Sequence, residues 1–385
     1  MTREGAQSFS DDVAGAAEKT GMREKIARHG QIVLVLQGGG ALGAYQAGVY
    51  EALHEAGVEP DWVIGTSIGA IHAAIIAGNE PEYRLEKIQT FWKRVATDHP
   101  MYETIASLPW LGRGLPQMMT MMNGIANFCK PNPYAFGGGK LSADSAAFYL
   151  TEPLRETLTG LIDFDRIARK ATRVTMGAAN LRTSEMRYFD SNRMPIDLRH
   201  VMASGALPPA FPAVRIDEDY YWDGGVLSNT PCEVIFDDNP RRNSVVFSVD
   251  IWNPRGDEPS TLADVVTRQQ EVQFSSRLVS HIMRQKQIHR LRHIISDLAS
   301  RLPEEERASL RPLASYGCVT YMHFVQLVAP RIEGEDALKG IDFTPAGIRA
   351  RWEAGLRDTR KVLAKQPWEG DFDPLEGLYL HEWQA

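Results

Sequence analysis

Gly65-Thr66-Ser67-Ile68-Gly69 sets a serine in the pattern G-x-S-x-G, between the apolar stretch Trp62-Val63-Ile64 and a helix-like one from Ala70 to Ala77. A strand that turns sharply into a helix lifts such a serine above the sheet and places its hydroxyl at a helix N-terminus. The hydroxyl can then attack a carbonyl, and the Ile68 N–H points where the oxyanion would form. Glycines at 65 and 69 fit a turn this tight because side chains there would collide.

Gly38-Gly39-Gly40-Ala41-Leu42-Gly43 follows the branched apolar run Ile32-Val33-Leu34-Val35-Leu36. As G-x-G-x-x-G it could rest a dinucleotide pyrophosphate on a helix N-terminus. That reading expects an acidic residue closing the second strand, whereas Glu59 and Asp61 precede Trp62-Val63-Ile64. Bare N–H groups at Gly38, Gly39 and Gly40 can instead hold an oxyanion made at Ser67, and this reading is favoured over both a nucleotide site and a merely tight turn. Tyr220-Tyr221-Trp222-Asp223-Gly224-Gly225 ends an aromatic strand in an acid on a glycine turn. Gly224 and Gly225 would let backbone approach closely, so that Asp223 faces Ser67; alone, the segment reads more readily as an Asp capping its own turn.

A serine hydroxyl needs a base, and a carboxylate raised by partial burial can serve. The competing Ser-His-Asp arrangement would draw on His281, His289, His293 or His323, which are read instead as helix-surface or packing residues. His289, His293 and Asp297 share a helix face, yet Arg290 stands where a zinc protease motif needs Glu, so a solvated face is expected and no metal or organic cofactor is called for. Thr230-Pro231-Cys232-Glu233 reads as a capping box, and the Met118 to Met122 cluster suits either an acyl groove or ordinary core.

Taken together, these segments resemble the patatin-like phospholipases, in which a glycine-rich oxyanion loop, a G-x-S-x-G serine and a D-G-G or D-G-A aspartate form a Ser-Asp dyad without histidine. The block Ala203-Ser204-Gly205-Ala206-Leu207-Pro208-Pro209-Ala210-Phe211-Pro212 is similar to the family's proline-containing segment. The resemblance covers roughly Ile32 to Ile251. It implies catalytic Ser67 and Asp223, an oxyanion hole from Gly38, Gly39, Gly40 and Ile68, and supporting glycines 43, 65, 69, 224 and 225. It also implies a lipid ester substrate of the phospholipase A or lysophospholipase kind, with a storage-polyester hydrolase and a non-catalytic lipid-binding module as alternatives. Segments near Cys318 to His323 and Asp342 to Trp352 resemble an extension found on some bacterial members, which implies no chemistry.

These residues need elements to hold them. The order strand, helix, strand, helix from Ile32 to Ala77 predicts parallel strands, Thr172 to Asn180 and Met186 to Asp190 read as paired strands, and Ser244 to Ile251 reads as another buried one. Residues 81 to 139 read as a helical insertion or lid. An apolar stripe from Leu262 to Leu302 predicts a long helix broken once, and the tail predicts one strand-like run, 319 to 328, and a helix over 347 to 363. The expected fold is a three-layer α/β/α lipase domain with a mostly parallel sheet over 31–255, preceded by a flexible leader, 1–30, and followed by a mostly helical extension, 256–385.

With 385 residues, 43% hydrophobic, the chain has ample material for a large core. The formal charge of −7 argues against binding nucleic acid through general basicity. Three scattered cysteines, Cys129, Cys232 and Cys318, fit a reducing cytosol. No apolar run reaches spanning length, so lipid contact is expected to be peripheral, at the inner membrane surface. Arg277, Arg284, Lys286, Arg290, Arg292 and Arg301 make a candidate contact with anionic lipid, against the blander reading of a packed helix with a solvated face.

Overall fold

Ile32, Leu34 and Leu36 of the first strand, β1 (Gln31–Leu36), enter one apolar cluster, and Val33 and Val35 enter another. Side chains alternate across a strand, so β1 carries core on both faces. Helices cover each face. On one side lie α1 (Ala44–Glu55), α2 (Ile68–Ala77), α3 (Pro81–Val95) and the C-terminal α8 (Pro345–Lys365). On the other, Ile235 and Phe236 of α5 (Glu233–Phe236) meet Leu278 and Ile282 of α7 (Leu278–Arg301). The result is three layers, α/β/α. This computed structural model describes residues 21–97, 120–137, 139–275, 278–332 and 335–384.

The remaining strands are β2 (Trp62–Gly65), a small ribbon of β3 (Lys130–Pro131) with β4 (Tyr149–Leu150), β5 (Arg173–Asn180), β6 (Met186–Asp190), β7 (Val214–Ile216), β8 (Asp219–Asp223), β9 (Ser244–Asp250), β10 (Met322–Val328) and β11 (Leu378–Gln384). Strands β11-β10-β9-β1-β2-β5 pair in that order and all run parallel. β6 and β8 then pair antiparallel with β5, and β7 with β8. Two more helices complete the set used below, α4 (Leu198–Ser204) and α6 (Leu262–Phe274).

The tail does more than append helices. Helices are present after residue 255, but β10 and β11 also extend the central sheet, and α8 lies directly on α1. A Cβ at Gly48 would sit 1.9 Å from the Trp352 carbonyl oxygen, and one at Gly355 2.1 Å from that of Tyr45, so the two helices touch backbone to backbone. The 256–385 region therefore shares the core of the preceding residues. At the other end, residues 21–27 of the expected flexible leader are helical and bury Ile26; residues 1–20 lie outside those described.

The stripe from Leu262 to Leu302 does break once, between Phe274 and Leu278. Its packing differs from the periodicity. Leu262, Val272, Leu291 and Leu298 are exposed, whereas His289 and His293 are buried. The His293 ring nitrogens lie 2.7 Å from the Pro374 carbonyl oxygen and 2.8 Å from that of Thr320, so this face is docked against the chain and not solvated.

Candidate active site

β5 serves as a ruler between the two expected catalytic residues. Gly65, two residues before Ser67, pairs with Met176, and Asp223 pairs with Ala178. At about 3.3 Å per residue these register positions lie roughly 7 Å apart along β5. β8 runs antiparallel to β5, so its last residue arrives where parallel β2 ends. Opposite strand directions thus deliver a serine and an aspartate, distant in sequence, to one point.

Ser67 is held in a backbone conformation that L-residues rarely adopt, φ 57° and ψ −123°. Such strain persists only where surrounding structure over-determines it, and it clusters at functional sites. Here the Ser67 N–H donates to the Ser204 carbonyl (3.1 Å) and the Ser204 hydroxyl (3.1 Å), and that hydroxyl donates to the Gly177 carbonyl (2.6 Å). The flanking glycines are obligatory: a Cβ at Gly65 would lie 2.2 Å from the Gly69 carbonyl oxygen, and one at Gly69 2.2 Å from that of Leu36. Asp223 is held by the same segment, its N–H donating to the Ala206 carbonyl (2.9 Å). Residues 204–206, in the proline-containing block, therefore grip both.

The Asp223 carboxylate is buried, and burial pushes its pKa up to about 7, opposed by the neighbouring Ser67 hydroxyl and the Gly225 N–H. The Gly225 bond is 2.7 Å long. A carboxyl tuned to neutral pH beside a serine hydroxyl is equipped to take its proton.

The glycine loop faces the same space, with one change from expectation. The Gly38 N–H donates to the Asn229 carbonyl (3.2 Å), and the Gly38 carbonyl accepts from Asn229 Nδ2 (3.0 Å) and Trp252 Nε1 (2.8 Å). Gly38 is thus engaged as an anchor, which leaves Gly39, Gly40 and Ile68 as the candidate donors. Gly39 precedes and Gly40 opens a 3-10 turn, and Ile68 opens α2, positions whose N–H groups lack partners inside the helix. Gly43 stands against Ile68, where a Cβ would lie 2.5 Å from Ile68 Cγ1. A Cβ at Gly224 would lie 2.6 Å from the Gly177 carbonyl oxygen of β5.

Gly38, Gly39, Gly40, Ser67, Ile68, Asp223 and Gly225 all border one cavity of about 530 Å³. Its remaining wall is largely apolar: Ile71, Ile125, Phe128, Leu207, Phe211, Phe274, Leu338, Ile341 and Phe343 contribute, with Met121 and Phe148 half-exposed at the rim. A cavity of this size and polarity suits an acyl chain. Of the expected methionine cluster, Met121 lines the cavity, while Met118 and Met119 lie outside the described residues. No histidine lines it among the described residues. His323 instead stacks on His381 and Tyr379 at the sheet edge.

Two other expectations change. Thr230 does not cap a helix; it is buried, and its hydroxyl accepts from Gln37 (2.8 Å) and donates to Asp250 (3.3 Å). Three of the five described basic residues of that helix are paired within the chain. Lys286 pairs with Glu376 (2.5 Å), Arg290 with Glu376 (3.2 Å) and Arg301 with Asp297 (2.9 Å), while Arg277 lies outside the described residues. Asn229, Trp252 and the 337–343 wall carry no motif spacing that would have singled them out.

Gly40 has φ 57°, and a Cβ there would lie 2.3 Å from the Gly340 carbonyl oxygen. Gly40→Ala must move the loop, so an enzyme using it as an oxyanion donor loses about 10² to 10³ in kcat with a smaller change in KM. Steady-state kinetics on a soluble ester read this directly, and a fall confined to KM would remove Gly40 from the oxyanion hole.

Residues 34–236 match the family model described as patatin-like phospholipase, and residues 272–375 match a second described as patatin phospholipase. The mouse and human proteins called patatin-like phospholipase domain-containing protein 6 are each 44% identical over 66 residues, which is 17% of this chain but only 5% of theirs. Among solved structures, VipD from Legionella pneumophila aligns over 87% of this chain and 67% of its own, at 15% identity and a TM-score of 0.37. The type III effector ExoU aligns over 88% and 54%, at 14% identity and a TM-score of 0.29. Scores this low add nothing to the family match.

Proposed function

Because the chain belongs to the patatin-like phospholipase family, we propose that it is a serine acyl hydrolase cleaving lipid carboxyl esters through an acyl-enzyme, with Ser67 and Asp223 as the dyad. The observation that carries this reading is the pairing of a strained serine with a buried, hydrogen-bonded carboxylate raised to about 7, both at the wall of an apolar cavity. The substrate class is a phospholipid or lysophospholipid, its acyl chain lying along the Phe128, Phe211 and Phe343 side of the cavity.

Asp223 takes the Ser67 proton as Oγ attacks the ester carbonyl carbon. The oxyanion is held by the N–H groups of Gly39, Gly40 and Ile68, which are fixed before reaction and cost no reorganisation. Asp223 then returns the proton to the leaving alcohol as the carbon–oxygen bond breaks. Water, deprotonated by Asp223, attacks the acyl carbon, and as the bond to Ser67 Oγ breaks Asp223 passes that proton to Oγ, releasing the fatty acid and restoring both residues. No histidine enters this cycle. No helix among the described residues is long and apolar enough to cross a membrane; with Lys286, Arg290 and Arg301 paired within the chain, the half-exposed rim residues Met121 and Phe148 are the better contact with a lipid surface.

Treating the whole chain with a fluorophosphonate tests the reading. One adduct per chain on the Ser67 peptide, formed in step with loss of hydrolysis of a phospholipid, lysophospholipid and short-chain ester panel, is expected. Modification elsewhere, or none, removes the acyl-hydrolase assignment.

A further inference from the structure

Residues 335–343 form a strap laid across the glycine loop. At its centre the Gly340 carbonyl oxygen presses on Gly40, 2.3 Å from where a Cβ would stand. Its two ends are drawn together by the buried Arg351 of α8, which donates to the Glu335 carboxylate (3.0 and 3.1 Å), the Asp342 carboxylate (3.2 Å) and the Asp342 carbonyl (3.2 Å). Its middle is tied to α6 through Lys339, whose Nζ donates to Glu271 Oε1 (2.7 Å). Both partners are buried, at 5% and 1% exposure.

This pair is linked to the loop from two directions. Lys339 Nζ lies 5.5 Å from the centre of the Trp252 ring, and the indole N–H of Trp252 donates to the Gly38 carbonyl. Three residues after Glu271, Phe274 packs on Trp252 with ring centres 5.2 Å apart. The Phe274 carbonyl accepts from Asn229 Nδ2 (2.7 Å) and Gln37 Nε2 (3.3 Å), the residues that anchor Gly38 and precede it.

We propose that Lys339 and Glu271 are positioning residues for ester hydrolysis: their buried ion pair seats the strap and α6 against the glycine loop and so fixes the Gly39 and Gly40 oxyanion donors. A buried ion pair adds little net stability, because desolvation offsets its attraction, but it does define geometry. Geometry is what an oxyanion hole needs, since a misplacement of about 1 Å can cost about 10²-fold in rate. The C-terminal region, from which the sequence implied no chemistry, thereby completes the site. This inference rests on the acyl-hydrolase reading above.

Lys339→Met is the informative variant, because Glu271 also receives Arg268 (3.2 Å) and Arg331 and is not left as a bare buried carboxylate. In the full chain, kcat on a soluble short-chain ester should fall about 10- to 100-fold with KM within about threefold. Hydrogen exchange should quicken in peptides spanning residues 37–43 and not across β1. Lys339→Arg, which keeps the charge, should recover most of kcat. Lys286→Ala, which breaks an ion pair on another face of the same region, should leave kcat unchanged. Should Lys339→Met fail to fold, Arg351→Lys loosens the strap ends and is expected to shift the same two readouts. Wild-type kcat in a folded Lys339→Met or Arg351→Lys overturns the proposal while fluorophosphonate labelling of Ser67 upholds the enzyme reading. An unlabelled wild type overturns both.

Discussion

Ser67→Ala is expected to abolish ester hydrolysis and fluorophosphonate labelling together while leaving the fold intact. The substitution removes one oxygen from a residue whose backbone is fixed by neighbours: the Ser67 N–H bonds to Ser204 do not depend on the Ser67 side chain. Alanine is no larger than serine, so the close approach of Gly65 to Gly69 is undisturbed. Loss of a serine nucleophile costs roughly 10⁶-fold in kcat in a serine protease, and a comparable collapse is expected here. Circular dichroism and thermal unfolding should match the wild type within error. Survival of even a tenth of the activity would mean that another group performs the attack.

Asp223→Asn has the second largest expected effect, a loss of about 10⁴-fold or more in kcat, since an amide cannot accept the serine proton. It carries two pH signatures. In the wild type, kcat/KM should rise as pH increases through about 7, because Asp223 must be ionised to act as base and burial holds its pKa there. Stability should move the other way. A carboxyl whose pKa is raised on folding contributes stability that is fully present below its unfolded value, near 4, and lost as pH rises through the folded value of about 7. Asp223→Asn should therefore unfold at a higher temperature than the wild type at pH 8, with the difference shrinking toward pH 4. Asp250 is also pushed to about 7 by burial, but it bonds Gln326 and Thr230 and does not border the cavity. The activity limb should accordingly persist in Asp250→Asn. Its disappearance there, or loss of more than about tenfold in activity on changing His281, His289, His293 or His323 to Gln with folding preserved, would replace the dyad with another base.

The serine and its turn were legible in the sequence because they are local. The apolar run Ile32 to Leu36, the glycines that follow it and the Gly65 to Gly69 turn each specify backbone within a few residues, and the structure places β1, β2, α1 and α2 accordingly. The pairing of the 172–180 and 186–190 segments was legible for the same reason, being a short connection between two β-rich runs. The break in the long helix was legible as an interruption of its stripe.

Only the tertiary structure decided what faces what. Asp223 read alone as an ordinary turn residue; its approach to Ser67 depends on β8 running antiparallel beside β5 where β2 ends, a choice made by strand pairing and not by the D-G-G segment. Helical periodicity marks one face of α7 without saying which neighbour covers it, so His289 and His293 are buried while Leu291 and Leu298 remain exposed. Gly38 matched an oxyanion motif, yet its N–H belongs to Asn229, a partner far along the chain. The strap is tied down by a buried ion pair, Lys339 with Glu271, whose members lie 68 residues apart, and residue type and spacing hold no record of such a pairing. Local sequence fixes backbone conformation over a few residues, whereas burial and hydrogen-bond partnership are settled by segments that meet only after the sheet has closed.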